Sequence, residues 1–412
     1  MNYEFPEITH LDQVREAIAG ADEFIVAERE WGFVVNYMIS KPDTFPPVHT
    51  AGGSADMREE ATRNKAIRRE CRGLIFSREG NLISRPYHKF FNVNQTDETQ
   101  IHRIDLSLPH VILEKLDGSM IRPLPMSDGS YRLGTKMGIT DVAMQAEVWL
   151  ADHPDYNKFI QSCLVSNCTP IFEWCSDQNR IVISYPKDRL VLTAIRNNRF
   201  GSYIGLCGLH GLAEAWNLDL VRQYEGTVDN MQALLTETAV LQGQEGWIIR
   251  FDDGHMLKIK ADEYVMQHRA KDSILRENGV IEMILDEKLD DVKPVLADVD
   301  RIKLDQFETD FWSGIAVTAD IWSRINRSVR IQYGDDRKSF AQAEGTKVLD
   351  GNLKSQIFRA WDVPVAEFDW KQSVIGVIAK NIGTQPRVDA IRILFGNAQW
   401  RYGVSNSGDA VE

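Results

Sequence analysis

The chain has 412 residues, 43% of them hydrophobic, enough for two ordinary domains and a substantial core. Its formal net charge of −13 argues against indiscriminate coating of nucleic acid while leaving room for a local basic groove. No run of eighteen apolar residues occurs, and Met1-Asn2-Tyr3-Glu4-Phe5-Pro6 lacks the basic-then-apolar order of a secretory signal, so neither a membrane span nor a membrane partner is expected.

The first sixty residues read as an α/β lead-in. Leu11, Val14 and Ile18 have helical spacing with Gly20 as a stop, and Phe24-Ile25-Val26 and Phe33-Val34-Val35 predict strands around a turn. A Pro/Gly-rich loop follows from Pro42 to Gly53. Between Arg63 and Arg103 there are nine Lys/Arg against four Asp/Glu, reversing the global sign. Arg63, Lys65, Arg68 and Arg69 fit equally a solvated basic helix and a binding surface. From Gly73 to about Lys260 short β-like runs dominate, at Leu74–Phe76, Leu82-Ile83, Val111–Leu113, Ile181–Ile183, Leu190–Leu192, Trp247–Ile249 and Met256-Leu257. Helical stretches interrupt them near Val142–Ala151 and Met231–Leu241, a pattern that suits an α+β domain with largely antiparallel sheets. From about residue 272 the spacing becomes helical, as in Phe307, Phe311, Ile315, in Ile321, Ile325, Val329, and in Val374, Val377, Ile378, Ile382. The acidic segment Asp286–Asp300 lies at the start of that region, and the tail after Arg401 is small, polar and expected to fray. The five cysteines, odd in number and without a C-x-x-C pair, fit free thiols in a reduced cytoplasmic setting.

Glu114-Lys115-Leu116-Asp117-Gly118-Ser119 sets an amine beside a carboxylate and a glycine turn, directly after an apolar strand. A lysine is a poor nucleophile at neutral pH, because with a reference pKa near 10.4 only about one molecule in a few thousand is uncharged. Nearby positive charge, a metal or burial exposes the lone pair. Lys258 and Lys260 supply such charge, and their spacing points both at one face of a strand; an exposed edge strand with alternating Lys is the plainer reading. Glu245-Gly246 opens another strand with a carboxylate, and Glu173 sits among Ile171, Phe172 and Trp174, where it needs a ribose, a metal or a structural ion pair. Arg72 and Lys89 are typed for polyphosphate, the first as a fork and the second as a point charge. Phe90 and Phe91 read as core.

In order, the segments CRG, SRPxxKFFN, EKLDGSM, FEW, QNRIVISY, EGWIIRF and LKIKxxxY resemble the signature of the type 1 phage RNA ligases, members of the covalent nucleotidyltransferase superfamily with DNA ligases and mRNA capping enzymes. The resemblance covers about residues 30 to 300. It implies an adenylyltransferase domain over 1–271 and an α-helical domain over 272–412 that contributes RNA or tRNA specificity. It implies that Lys115 attacks the α-phosphate of ATP, that Glu173 holds the ribose, and that Glu245 assists a step dependent on magnesium or manganese. Lys258 and Lys260 neutralise the α-phosphate, Arg72 and Lys89 grip the β- and γ-phosphates, and Lys136 matches a further family lysine. Asp290 matches an acidic position linked to magnesium. Tyr37 matches an ATP-contacting tyrosine, with Asn36 as the competing assignment. The expected RNA partner is single-stranded or a broken tRNA loop, with a polynucleotide kinase/phosphatase expected upstream and a monomer expected. The residues between Lys41 and Ala66 depart from the family pattern.

Two other readings stand beside this one. DNA ligases and capping enzymes generally follow the last K-x-K with a small β-barrel, whereas the residues after Lys260 read as helix. A non-catalytic RNA-binding protein on the same fold is disfavoured by the intact Lys115, Glu173, Glu245, Lys258 and Lys260. In the C-terminal region fifteen Lys/Arg stand against fourteen Asp/Glu from Arg301 onward, and Arg324, Arg327 and Arg330, which could track phosphates, fit a solvated helix face better.

Overall fold

The computed structural model describes residues 5–41, 43–48, 55–226, 228, 230–364 and 367–402, with 55–58 as backbone alone. Pro42, residues 49–53 of the Pro/Gly-rich loop and the tail from 403 lie outside the described residues. The chain divides into two compact units that part between Val265 and Met266. That division falls inside the helix Asp262–Ser273, where the sequence pattern places a boundary after Lys271.

The first unit carries twelve strands among the described residues: β1 (Phe24–Arg29), β2 (Gly32–Tyr37), β3 (Leu74–Phe76), β4 (Leu82–Ser84), β5 (Phe91–Asn92), β6 (His110–Lys115), β7 (Ser119–Pro125), β8 (Tyr131–Gly134), β9 (Cys168–Cys175), β10 (Arg189–Asn197), β11 (Gly246–Phe251) and β12 (Met256–Lys260). They form three four-stranded sheets, in the orders β1-β2-β3-β4, β10-β9-β7-β8 and β5-β12-β11-β6. The pairings between these strands are antiparallel except β5 on β12, as the α+β reading expects.

Each sheet buries its apolar face against helices. On the first, Leu11, Val14 and Ala17 of helix Leu11–Ala17 and Ile67 of helix Ala55–Glu70 pack with Val35, Leu74 and Phe76. On the second, helices Asp141–Ala151, Pro154–Val165 and Leu206–Ala215 cover Ile121, Phe172, Leu190 and Leu192. The first of these helices begins where the Thr140 side chain accepts the Ala143 amide, satisfying a donor that a helix start leaves open. On the third, Met231 and Leu234 of helix Met231–Ala239 meet Trp247, Ile249 and Leu257.

One predicted strand is absent. Ile181–Ile183 is a run of bends, because the amides of Val182 and Ile183 donate to the Asp117 carboxylate, each at 2.7 Å, instead of to a neighbouring strand. The basic helix is only partly solvated: Arg69 is buried and pairs with Glu98 at 2.7 Å, while Arg68 donates to the Ala17 carbonyl.

In the second unit every regular element among the described residues is helical, led by the 36-residue helix Asp298–Tyr333. Phe307, Phe311 and Ile315 are buried, as their spacing predicts. One turn pair later Trp322 takes the core position and Ile321 is exposed, a one-residue offset that the long, slightly drifting apolar stripe allows. Arg324 pairs with Asp320, and Arg330 lies over the Trp361 ring at 5.0 Å, so these arginines do not form one open basic row.

Candidate active site

The site is assembled by strand register. Central strand β11 pairs Gly246 with Lys115 of β6 on one side and with Lys260 of β12 on the other, so the two lysines stand in one row across the sheet. Residues directly opposite share a face, and Lys258, two positions along, shares it with Lys260. Gly246 (φ +143°) lies so close to the Ile259 carbonyl that a Cβ would collide with it. The preceding residue, Glu245, is 3% exposed and supplies the carboxylate of the row. The Lys115 Nζ lies 2.6 Å from Glu245 Oε1, and the Lys260 Nζ lies 3.2 Å from the same oxygen.

The turn after Lys115 is fixed from beneath. Asp117, 2% exposed, accepts the Val182 and Ile183 amides on one oxygen and the Tyr264 hydroxyl on the other at 2.7 Å. Its own amide donates to the Tyr185 hydroxyl at 3.0 Å. Gly118 passes so near β9 that a Cβ would collide with the Trp174 carbonyl and lie 3.1 Å from Glu173 Cγ. The anchoring role of Asp117 and Gly118, and the part played by Tyr185 and Tyr264, do not follow from the motif segments that contain them. Their trace in the sequence is a D-G turn and two tyrosines inside otherwise ordered motif segments.

Glu173 comes from β9, which pairs it with Met120 of β7. Burial pushes its carboxyl up to about 8, with Lys115 and Arg72 pulling the other way and Glu245 and Asp117 adding to the rise. A carboxyl held near neutrality can meet ribose hydroxyls as donor or acceptor. Burial, together with Lys115, Lys260, Lys89 and Arg72, brings Lys258 down to about 7. That set brings five cations together, with Glu245 pairing Lys115 and Lys260, and phosphate oxygens would add counter-charge.

Tyr37 ends β2 facing a second part of this cluster. Burial would raise its phenol, but Arg72, Lys89 and Lys136 outweigh it and hold the phenol below its ordinary value. Lys89 donates to the Tyr37 hydroxyl at 3.3 Å, lies 4.8 Å over its ring, and is placed by its backbone amide on the Arg69 carbonyl. Arg72 reaches Met120 Sδ at 3.9 Å. Asn36, the competing residue, is buried and donates to Met137 Sδ at 2.9 Å, beside Lys136 rather than against a charged group.

Arg72, Lys89, Lys115, Lys136, Glu173, Glu245, Lys258, Lys260 and Tyr37 all belong to the first unit. Asp290 belongs to the second, in a four-residue helix, with a side chain 92% exposed and Lys293 at 3.9 Å. Lys293 also pairs with Asp305 and Glu308, so a lysine ammonium sits where a cation would gather those carboxylates. Among the described residues no group of three or more His, Cys, Asp or Glu side chains is arranged to hold a metal. No helix among them is long and apolar enough to cross a membrane.

Residues 70–265 match the family model described as RNA ligase. The matched span contains the Lys115 row, Glu173, Arg72, Lys89 and Lys136, and leaves Tyr37 and Asp290 outside it. Among similar proteins, a Thermovibrio ammonificans protein provisionally named RNA ligase is 28% identical over 83% of this chain and 85% of its own length. RNA ligase 1 of bacteriophage TS2126 is 26% identical over 56% of this chain and 58% of its own. Among solved structures, an archaeal ATP-dependent RNA ligase aligns over 95% of this chain and 90% of its own at 11% identity, with a TM-score of 0.42. A Naegleria gruberi RNA ligase variant with ATP and manganese aligns over 45% of this chain and 58% of its own at 14% identity, with a TM-score of 0.37. At those scores neither structure bears on the position of any residue.

Proposed function

We propose that this chain is an ATP-dependent RNA ligase that joins a 3′-hydroxyl to a 5′-phosphate through lysyl-AMP and RNA-adenylate. The observation that carries the reading is the Lys115 amine, held 2.6 Å from Glu245 in one row with Lys260 and within the same cluster of cations as Lys258, Lys89 and Arg72.

Phosphoryl transfer asks for alignment and charge neutralisation more than for proton transfer. The Lys115 ammonium gives up a proton, for which the Glu245 carboxylate is the contacting acceptor, and its lone pair attacks the α-phosphorus. The bond to the β-phosphate oxygen breaks and pyrophosphate leaves toward Arg72, Lys89 and Lys136. Lys258 and Lys260 meet the charge on the α-phosphate, and Glu173 meets the ribose. AMP then passes to the 5′-phosphate of RNA, and attack by the 3′-hydroxyl releases it and seals the strand. Magnesium bound with the triphosphate would supply further charge neutralisation and would call for a carboxylate beside the phosphate oxygens. Glu245 would fit that donor set at the reacting nitrogen, and Asp290 is proposed separately as an acidic position linked to magnesium.

The helical unit is proposed to contribute to recognition of single-stranded RNA or a broken tRNA loop, with ends prepared by a kinase/phosphatase. A DNA ligase or capping enzyme is the weaker reading, since among the described residues after Lys260 every regular element is helical.

The test is incubation with α-labelled ATP and magnesium, followed by acid denaturation. Label retained by the wild type and lost in Lys115→Ala supports the mechanism; no label, or equal label in both, removes it. Offering nicked tRNA, single-stranded RNA, nicked duplex RNA and DNA to one preparation then ranks the substrates.

A further inference from the structure

Arg122 stands on β7 with its side chain 0% exposed, yet among the described residues no carboxylate pairs with it. An unpaired buried charge is costly, so a fold that keeps one must gain something specific from it. Its guanidinium donates to the Gly73 carbonyl and, at 3.2 Å, to the Ser84 hydroxyl, while Nε has no partner. Both acceptors belong to the first sheet region, beside β3 and in β4, whereas Arg122 belongs to the second sheet. Arg122 therefore bridges two sheets at one point.

That point lies between two phosphate-gripping residues. Gly73 follows Arg72 directly, and its left-handed backbone (φ +96°) packs so tightly that a Cβ would lie 2.7 Å from the Lys136 carbonyl oxygen and 3.1 Å from Arg122 Nη2. Arg122 also pairs across strands with Gly134, two residues before Lys136. Arg72 lies just before β3 and Lys136 just after β8, strands of different sheets, and both act on Tyr37. Their separation is set where Arg122 holds the Gly73 carbonyl against the Lys136 backbone.

We infer that Arg122 is a positioning residue for the triphosphate end of the nucleotide: it fixes the spacing of Arg72 and Lys136 and adds a buried positive charge behind them. This rests on the ligase reading, in which those two residues receive the leaving pyrophosphate. The guanidinium touches no reacting atom. Burial and the neighbouring Arg72 bring it down to about 9, consistent with a cation that lacks an anion until a polyphosphate arrives.

The experiment compares Arg122→Met, Arg122→Lys and wild type in two assays. The first is calorimetric binding of inorganic tripolyphosphate, which needs no chemistry. The second splits the reaction into KM for ATP in lysyl-AMP formation and the sealing of pre-adenylylated RNA, which bypasses the triphosphate. The expected result is tripolyphosphate affinity and ATP KM worse by about tenfold in Arg122→Met, the scale of one lost charged hydrogen bond, with a smaller effect in Arg122→Lys. Sealing of pre-adenylylated RNA stays within about twofold on the same argument. Unchanged tripolyphosphate binding, or an equal fall in both half-reactions by whichever variants melt cooperatively, overturns the inference. If wild type binds tripolyphosphate through Arg122 but forms no lysyl-AMP, the ligase reading fails and the positioning role stands.

Discussion

The Tyr264 hydroxyl donates to the buried Asp117 carboxylate at 2.7 Å, joining two residues 147 positions apart. Asp117 sits two residues after the nucleophile, so this bond anchors the turn that aims Lys115. Tyr264→Phe leaves a carboxylate oxygen short of its donor, which costs about 1–3 kcal/mol. The expected outcome is a lysyl-AMP formation rate lower by roughly tenfold to a hundredfold, read in single-turnover labelling. A wild-type rate would show that the turn holds without Tyr264.

Gly118→Ala places a methyl group against the Trp174 carbonyl and the Glu173 side chain. Backbone cannot move aside there without shifting β9. Label transfer from ATP should fall by at least about a hundredfold, since displacement of a reacting group by about 1 Å costs that much. Full activity in a folded Gly118→Ala protein would contradict the close approach.

Lys258 is brought down to about 7 by burial and by four neighbouring cations. Phosphate oxygens favour its charged form and raise that value, so nucleotide binding should draw a proton from solvent. At pH ~8 the uptake approaches about one proton, and at pH ~6 it vanishes because the amine is already charged. Calorimetry of ATP binding in buffers of different ionisation heat measures it; the same uptake at both pH values would count against the assignment.

Glu173 is raised to about 8, mainly by burial. A carboxyl raised on folding stays protonated in the folded chain while the unfolded chain ionises, so this group makes stability fall as pH climbs from about 4.3 toward 8. Glu173→Gln removes that slope. The variant should match wild type in denaturant unfolding near pH 4 and exceed it at pH 8, while losing nucleotide affinity.

Glu70 shows the opposite sign. Burial would raise it, but Arg196 and Arg85 overcome burial and hold it at about 2. The contribution is present above the ordinary carboxylate range and is lost as pH falls toward 2. The ion pairs lie at 2.7 and 3.1 Å with all three side chains buried, so Glu70→Gln strands two cations at a cost of about 3–5 kcal/mol. The melting temperature should drop by several degrees at neutral pH, with the difference from wild type narrowing in acid.

What could be read from the chain follows the range of the interactions. The K-x-K spacing puts Lys258 and Lys260 on one face without any knowledge of the fold, because strand periodicity is local. The apolar runs around β6, β9 and β11 likewise announce themselves. Ile181–Ile183 looked like another such run, but its amides go to Asp117, a partner 65 positions upstream that no local pattern reveals. Arg122 was invisible for the same reason: an arginine in an apolar strand does not state that its acceptors lie beside Gly73 and in Ser84. Asp290 was carried by resemblance alone, and its side chain is exposed in the second unit.

Gly246 sits between Lys115 and Lys260 as the middle rung of a three-strand row. Because side chains alternate faces, a slip of one residue in either pairing would send a lysine to the opposite side of the sheet and leave Glu114 or Ile259 in its place. Misregistered molecules would thus be silent instead of sluggish. The fraction of a refolded sample that accepts label would then count correctly zipped sheets, making stoichiometric adenylation an internal gauge of folding fidelity.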